Sequence, residues 1–473
     1  MSSFSGLQTG LSGLIAHRQV ADTISHNIAN VNTPGYSRQR VELNAEGRQA
    51  VTAIWSRASD AGNGVRADGI IRLRNEFLES QHRNELGNRA ALAGTTAVLD
   101  RLESVFPEPS DTGIAAQLGD YWASWEALVN NPGDNAARAA VLEKGNLVVQ
   151  ALHLADKQIR AQRDDAVDGV GLMVNEVNQL AEQVARYNTG VRAGIVGGQQ
   201  PNDMLDQRDQ LVLRLAELAG VRVEPGEHGM VDVFIGGRAL VSGQSFQTLA
   251  VSHPADATLG ALGFDKVQVQ WSADGLPAEV NAGEVAGFVA GANEVLPSYL
   301  TDLNGVAQQL VNTVNALHAT GKGLDGVTGR NFYDPTKTTA ASITISADVA
   351  GQPANLAAAA VSADPLDPRP LDTTVAEALG KMGKASVGAD ASYRSMIISL
   401  GSEMRFFTDQ TDAQAGVVAR LDEDRKSVSG VNLDEEMVNL VAAQHAYSAA
   451  ARVITSVDEM LDTLINRTGL VGR

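Results

Sequence analysis

Apolar residues recur at alternating steps of three and four at both ends of this 473-residue chain, and neither stripe can be buried by its own helix. Near the start the stripe is Phe4, Leu7, Leu11, Leu14, Arg18, Ala21, Ser25 and Ile28, with Ile15 and Ile24 beside it. Near the end it is Leu433, Met437, Leu440, Gln444, Tyr447, Ala451, Ile454, Asp458, Leu461 and Ile465. A period of 3.5 marks a coiled-coil seam rather than the broad apolar face of a globular helix. The first helix would be about 37 Å long at ~1.5 Å per residue. Each large seam residue left in water forgoes about 1.5–3 kcal/mol. The two seams must therefore pack on each other, on copies of themselves, or on both, and periodicity alone leaves these open.

Both helices carry end signals. Asn30 is placed to cap the first, and Pro34 stops its continuation. Thr33-Pro34-Gly35-Tyr36 predicts a type II turn, with Pro fixing φ at the second position and Gly supplying a positive φ at the third. Asn432 caps the second helix, Glu435 stands three residues on as in a capping box, and Asp434, Glu435 and Glu436 suit its dipole.

Between the ends the pattern predicts long helices around a β-rich insertion. Helices are expected over 68–105, 112–130, 134–190, 202–219, 284–318 and 373–427, with a break at Asn131-Pro132-Gly133. Period-two runs at 221–223, 231–235 and 267–271, and a short one at 342–345, predict strands between glycine-rich turns. The fold expected is mainly α, with terminal coiled-coil helices, a long-helix bundle and a small β-rich inserted outer domain. Residues 1–35 and 430–473 form the terminal segments. Residues 36–220, 281–334 and 373–429 form the bundle, and 221–280 and 335–372 the outer element. A chain of this length holds about three such units. This nesting of terminal segments is the plan of a rod rather than of a compact enzyme.

Composition narrows the function. Lys and Arg number 37 against 56 Asp and Glu, a net charge of −19, which argues against phosphate-backbone binding and against adhesion to anionic lipid. There is no cysteine, so thiol catalysis, disulfides and Cys-metal sites are excluded. No apolar run reaches the ~18 residues of a membrane span, and residues 1–16 hold no Lys or Arg and no unbroken apolar block, unlike a cleaved signal peptide. Aromatics make up only 4%, so cores are expected to rest on Ala, Val and Leu.

No catalytic set emerges. The eight histidines form no His-Glu-x-x-His pair. Residues 321–326 match G-x-G-x-x-G by letter, yet they follow a helix instead of opening one after a strand, which favours a plain turn. Asp203, Asp206 and Asp209 share a helix side. They could hold a metal, but acids in a first turn more often complement the dipole. His26, four after Asp22, suits a solvated helix pair. The expectation is no catalytic, cofactor-binding or metal residue, and weight shifts to assembly.

Asn27-Ile28-Ala29-Asn30-Val31-Asn32-Thr33-Pro34-Gly35 resembles the signature shared by bacterial flagellar axial proteins. Its continuation Tyr36-Ser37-Arg38-Gln39 resembles the hook-associated protein 1 family in particular, since rod and hook proteins usually have Phe and then Lys there. Residues 429–437, with Tyr447 and 462–466, resemble the other end of the same family, as do 202–209 and Asn315-Ala316-Leu317-His318 internally. The chain departs from the family in being short, and in having Asn293 where a charged residue is usual.

The resemblance implies a structural adaptor at the hook–filament junction. It would polymerise on the hook through its terminal seams and permit filament assembly. Implied partners are further copies of itself, the hook protein, a second junction protein on the filament side, and a cytosolic export chaperone at the C-terminal helix, with no nucleic acid, no membrane insertion and no cofactor. Implied localisation is the extracellular flagellum, reached without a cleaved signal peptide. The alternatives are a hook or distal rod subunit, or a secreted adhesin or hydrolase on helical stalks.

Overall fold

The computed structural model describes residues 3–46, 62, 64–360, 372–463 and 465, with the side chains of residues 3–5 left undescribed. Within these the fold is mainly α with small sheets. Eleven helices and ten strands are described, and no described helix is long and apolar enough to cross a membrane. The chain falls into two compact units, one of residues 1–86, 179–247 and 416–473, the other of 87–178 and 248–415.

The first unit holds α1 (Ser3–Ala29) and α11 (Leu433–Asp462), which pack together, and the hairpin of β1 (Gln39–Ala45) with β2 (Val65–Arg72). Residues 68–72 are thus strand and not the start of a long helix. Ile70 and Leu73 match a helical period only because three residues separate them. The helix begins later, as α2 (Glu76–Glu103), where the Asn75 side chain accepts from the Phe77 and Leu78 amides at 3.0 and 3.3 Å. Phe77, in the first turn of this helix, is exposed.

α4 (Asn135–Val196) runs unbroken for 62 residues. Its end in the first unit meets the antiparallel sheet of β3 (Arg222–Pro225), β4 (Val231–Ile235), β5 (Arg238–Ser242) and β6 (Ser245–Phe246). The buried Asn188 amide fixes that contact by donating to the Val231 and Gly243 carbonyls at 2.8 and 2.7 Å. α5 (Asn202–Ala219) ends at Gly220, whose φ of 60° supplies the left-handed cap.

In the second unit α3 (Ile114–Asn130) and α8 (Leu296–His318) build a core with the loop after α8. The scarce aromatics are pooled here: Tyr121, Trp125, Phe332 and Tyr333 are fully buried and stacked edge-on or tilted at 4.7–6.4 Å. The rest of this core is mostly Leu, Val and Ala, as the composition led us to expect. Between α7 (Glu284–Ala290) and α8 the helix widens into one π turn, Gly291–Val295, and Asn293 uses it to reach both backbone groups of Val267 at 2.8 Å. The hairpin of β7 (Leu249–Ser252) and β8 (Gln268–Trp271) belongs to this unit, held by Asn178 on Leu249 at 2.7 and 2.8 Å. The strands of 221–280 therefore divide between two sheets in two units.

Residues 342–345 form no strand. Ile343 and Thr344 give their carbonyls to His153 and Asp334, which leaves only the bridge from Ile345 to Tyr333. The helix expected over 373–427 is broken between α9 (Thr374–Gly380) and α10 (Ala389–Ser429), where Gly388 holds a φ of 148°. Residues 361–371 of the expected outer element lie outside the described residues.

The Asn315–His318 segment pins the loop after α8. Asn315 binds the Phe332 and Tyr333 amides and the Tyr333 carbonyl, all at 2.9 Å. His318 Nδ1 donates to the Arg330 carbonyl at 2.7 Å, and Nε2 accepts from the Ala357 amide at 2.9 Å. Gly321, Gly323 and Gly326 lie in the turn between these anchors, with Asp325 paired to Arg330 at 2.6 Å. Burial pushes the His318 pKa down to about 4. A histidine that resists protonation when folded stabilises fully above its ordinary pKa near 6.5, and that stability drains away as pH falls through 4. Denaturant midpoints of the whole chain should fall between pH 6.5 and 4, with a His318 contribution of about 3 kcal/mol. A His318→Asn variant should be less stable at neutral pH and lack that share of the slope. An unchanged slope would refute the assignment.

Candidate assembly surface and the clasp behind it

α1 and α11 pack as an antiparallel pair, but not through the apolar seam of α1. A methyl group added to Gly6 would lie 3.3 Å from Val457, one on Gly10 would lie 2.9 Å from Ile454, and one on Gly13 would lie 3.6 Å from Ala450. The buried residues of α1 are Gly10, Ala16, Thr23, Ile24 and Asn27. Most of this face sits one residue before the expected seam, about 100° around the helix. Without side chains, glycines let the two backbones approach closely.

The leucines are left outside. Leu11 is 49% and Ile15 57% exposed, while Leu7, Leu14 and Ile28 are half-buried. On α11, Leu440, Ile454 and Leu461 are half-buried, and Leu433, Met437, Tyr447 and Ile465 are exposed. Val438 and Val441 add to that surface at 69% and 47% exposure. Phe4 lies in α1 with its side chain outside the described residues. Leaving several large apolar groups in water along two helices is costly for a finished monomer.

The end of the pair is polar and closed. Asn27 is 1% exposed. Its Oδ1 accepts from the Tyr36 hydroxyl at 2.7 Å and the Gln39 amide at 3.0 Å. Its Nδ2 donates to the Gln39 carbonyl and to Glu436 Oε2, both at 2.9 Å. Glu436, 2% exposed, also takes the Arg38 guanidinium at 2.7 Å, and Arg38 reaches Glu435 at 2.9 Å. Glu435 is thus drawn to Arg38, while Asn432 alone caps α11 by accepting from the Asp434 and Glu435 amides. Burial, seconded by Asp203, Asp206 and Glu436, holds the Tyr36 hydroxyl above its ordinary pKa, so it stays a donor.

The turn before the clasp has the predicted geometry: the Tyr36 amide donates to Thr33, and Gly35 has φ 75°. Asn30 caps α1 by returning its amide and its side-chain nitrogen to the His26 carbonyl at 3.1 and 3.0 Å, and accepts from the Thr33 hydroxyl. Pro34 is exposed on the turn, and Ser37 is buried.

The acidic helix face of α5 completes the clasp. Asp206 accepts from the Ser37 amide at 3.1 Å and from Arg72 at 2.8 Å, and Asp209 takes Arg72 at 2.8 Å together with Arg74. Burial raises the Asp209 pKa, but Arg74, Arg208 and Arg72 outweigh it and hold the carboxyl below its ordinary range. These aspartates are engaged by arginine and backbone amides. Asn202 reaches Gln39 at 3.1 Å. His26 lies 3.6 Å from Asp203, while Asp22 lies 3.8 Å from Arg18, so the expected Asp22–His26 pair is replaced by two others. Arg72 and Arg74 escaped the sequence reading, and Glu436 was read there only as a complement to the helix dipole. Their only signal was a charged residue next to a capping or strand motif.

Comparison with known proteins agrees along the chain. A family model described as the flagellar hook-associated protein FlgK helical domain matches residues 99–333. Models of the flagella basal body rod protein and of the flagellar basal body rod FlgEFG protein C-terminal region match 7–36 and 427–467. Flagellar hook-associated protein 1 of Bacillus subtilis is 28% identical over 514 residues, covering all of both chains. Its namesake in Salmonella typhimurium is 24% identical, covering 96% of this chain and 98% of that one. The solved flagellar hook junction protein FlgK from Burkholderia pseudomallei shares the fold, with a TM-score of 0.62 at 15% identity, over 74% of this chain and all of that one.

Proposed function

The chain belongs to the flagellar hook-associated protein 1 family, and from that premise we propose how a structural protein of the hook–filament junction uses this fold. Residues 1–35 and 430–473 line an inner tube in which α1 and α11 of each copy meet those of its neighbours. The contacts are made by Phe4, Leu7, Leu11, Leu14 and Ile28 on one helix, and by Leu433, Met437, Leu440, Tyr447, Ile454, Leu461 and Ile465 on the other. Residues 36–220, 281–334 and 373–429 surround that tube, with 221–280 and 335–372 as an outer element. The Asn27–Gln39 clasp sets the angle at which the tube segment leaves the bundle.

One observation carries this reading. The helix pair closes on glycine, and its large apolar residues stay outside, uncovered by the described residues and open to a neighbouring chain. The hook protein would take one end of the resulting ring and a second junction protein the other. Before assembly the same exposed face of α11 suits a cytosolic chaperone, and export would proceed without peptide cleavage. We assign the chain no catalytic, cofactor or metal role. A hook or rod subunit is disfavoured, because the hook-associated helical domain matches the middle of the chain.

The test is imaging of cells from which the protein is deleted. Hooks should form and filaments should not, and the intact chain should restore filaments where a version ending before Leu433 does not. Normal filaments in the deletion would overturn the assignment.

A further inference from the structure

In the first unit, β2, the start of α2 and α5 enclose a cleft of about 540 Å³. Four arginines line it, Arg72, Arg74, Arg83 and Arg208, against three carboxylates, Glu76, Glu79 and Asp209. Two of those carboxylates are taken. Asp209 holds Arg72, Arg74 and Arg208, and Glu79 lies 3.0 Å from Arg74 and 3.7 Å from Arg425. Arg83 makes no hydrogen bond or ion pair with any described residue. Burial lowers its pKa, and the attraction of Glu79, Asp209 and Glu76 from beyond contact distance does not offset that. Leu205, Val212 and Val223 supply an apolar wall beside it.

A half-buried guanidinium without a partner is unusual, because removing it from water is repaid only by charge-assisted hydrogen bonds. Its planar fork matches the two oxygens of a carboxylate. The count of charges selects the ligand further. With Asp206 on Arg72 and Arg425 on Glu79 counted, five cations face four anions, and the surplus of one is what a monoanion neutralises. A phosphate would bring a charge of about −1.5 to −2 toward Glu76 and Glu79.

We propose that this cleft is a carboxylate-binding site in which Arg83 takes both oxygens. The carboxylate is either that of a small solute or an acidic side chain of a neighbouring copy. With a net charge of −19, this chain presents many such side chains.

Saturation-transfer NMR with acetate on the full-length chain tests the site. Acetate should receive saturation in a saturable way, and propionate should displace it while equal chloride should not. Arg83→Gln should weaken the binding by about tenfold or more. Ser80→Glu, which sets an internal carboxylate one helical turn before Arg83, should block acetate without touching the guanidinium. No transfer to acetate, or equal transfer in both variants, would overturn the site, as would inorganic phosphate binding more tightly than acetate. Polymerisation of the purified chain separates the sources. Both variants assemble slowly if a neighbour supplies the carboxylate, and assemble at the unmodified rate if a solute does.

Discussion

Replacing Asn27 with leucine, similar in size, should destabilise the first unit by about 3–5 kcal/mol. The substitution leaves the Gln39 amide and carbonyl, the Tyr36 hydroxyl and Glu436 Oε2 without the partner they now have. Each orphaned buried group costs about 1–3 kcal/mol, and water entering the opened clasp recovers part of the total. Glu436 keeps Arg38, so its charge is not stranded. Urea unfolding gives the magnitude. Hydrogen exchange gives the place: protection should fall first in residues 27–39 and in the opening turns of α11. A loss under about 1 kcal/mol, or exchange spread evenly over both units, would mean that the clasp is not what joins the chain ends.

Leu11→Asp should leave the isolated subunit nearly as stable as before, within about 1 kcal/mol, and abolish incorporation into the flagellum. Leu11 is half-exposed in the subunit, so an aspartate there stays in water. In the tube it would be buried against a neighbour, where an uncompensated charge costs several kcal/mol per copy. The adjacent position should behave the opposite way. Gly10→Leu drives a side chain into Ile454 and the Ala450 carbonyl, and should separate α1 from α11 within one subunit. Filament counts by electron microscopy and urea midpoints of the two purified variants check both. Filaments on Leu11→Asp cells would remove that residue from the interface.

The helices, their caps and the turn at Gly35 were legible because each is set by local chemistry: a periodic stripe, an Asn ahead of three acids, a Pro-Gly pair. The direction of α1 was not. Hydrophobic period locates the greasy side of a helix, but Gly6, Gly10 and Gly13 read as interruptions when they are the contact itself. The strand Val65–Arg72 was missed because it is defined only by pairing with Gln39–Ala45, a segment well away from it in sequence. The clasp was half visible. Its motif residues stood out, whereas Glu436 and Asp206 lie 409 and 179 positions away from Asn27, and nothing along the sequence links them. The pooled aromatics were hidden in the same way, since a low total says nothing about where Tyr121, Trp125, Phe332 and Tyr333 meet.

The division of α1 into a glycine side and a leucine side has a consequence for inheritance. A lineage that altered Gly10 would have to be rescued by a shrinking change at Ile454 or Ala450 in the same polypeptide, and any such rescue would travel with the lesion. A change at Leu11 would be rescued by whatever surface lies opposite, including one encoded by a different gene. Two neighbouring codons would therefore drift under separate rules, one answerable to its own molecule and the other to the company that molecule keeps.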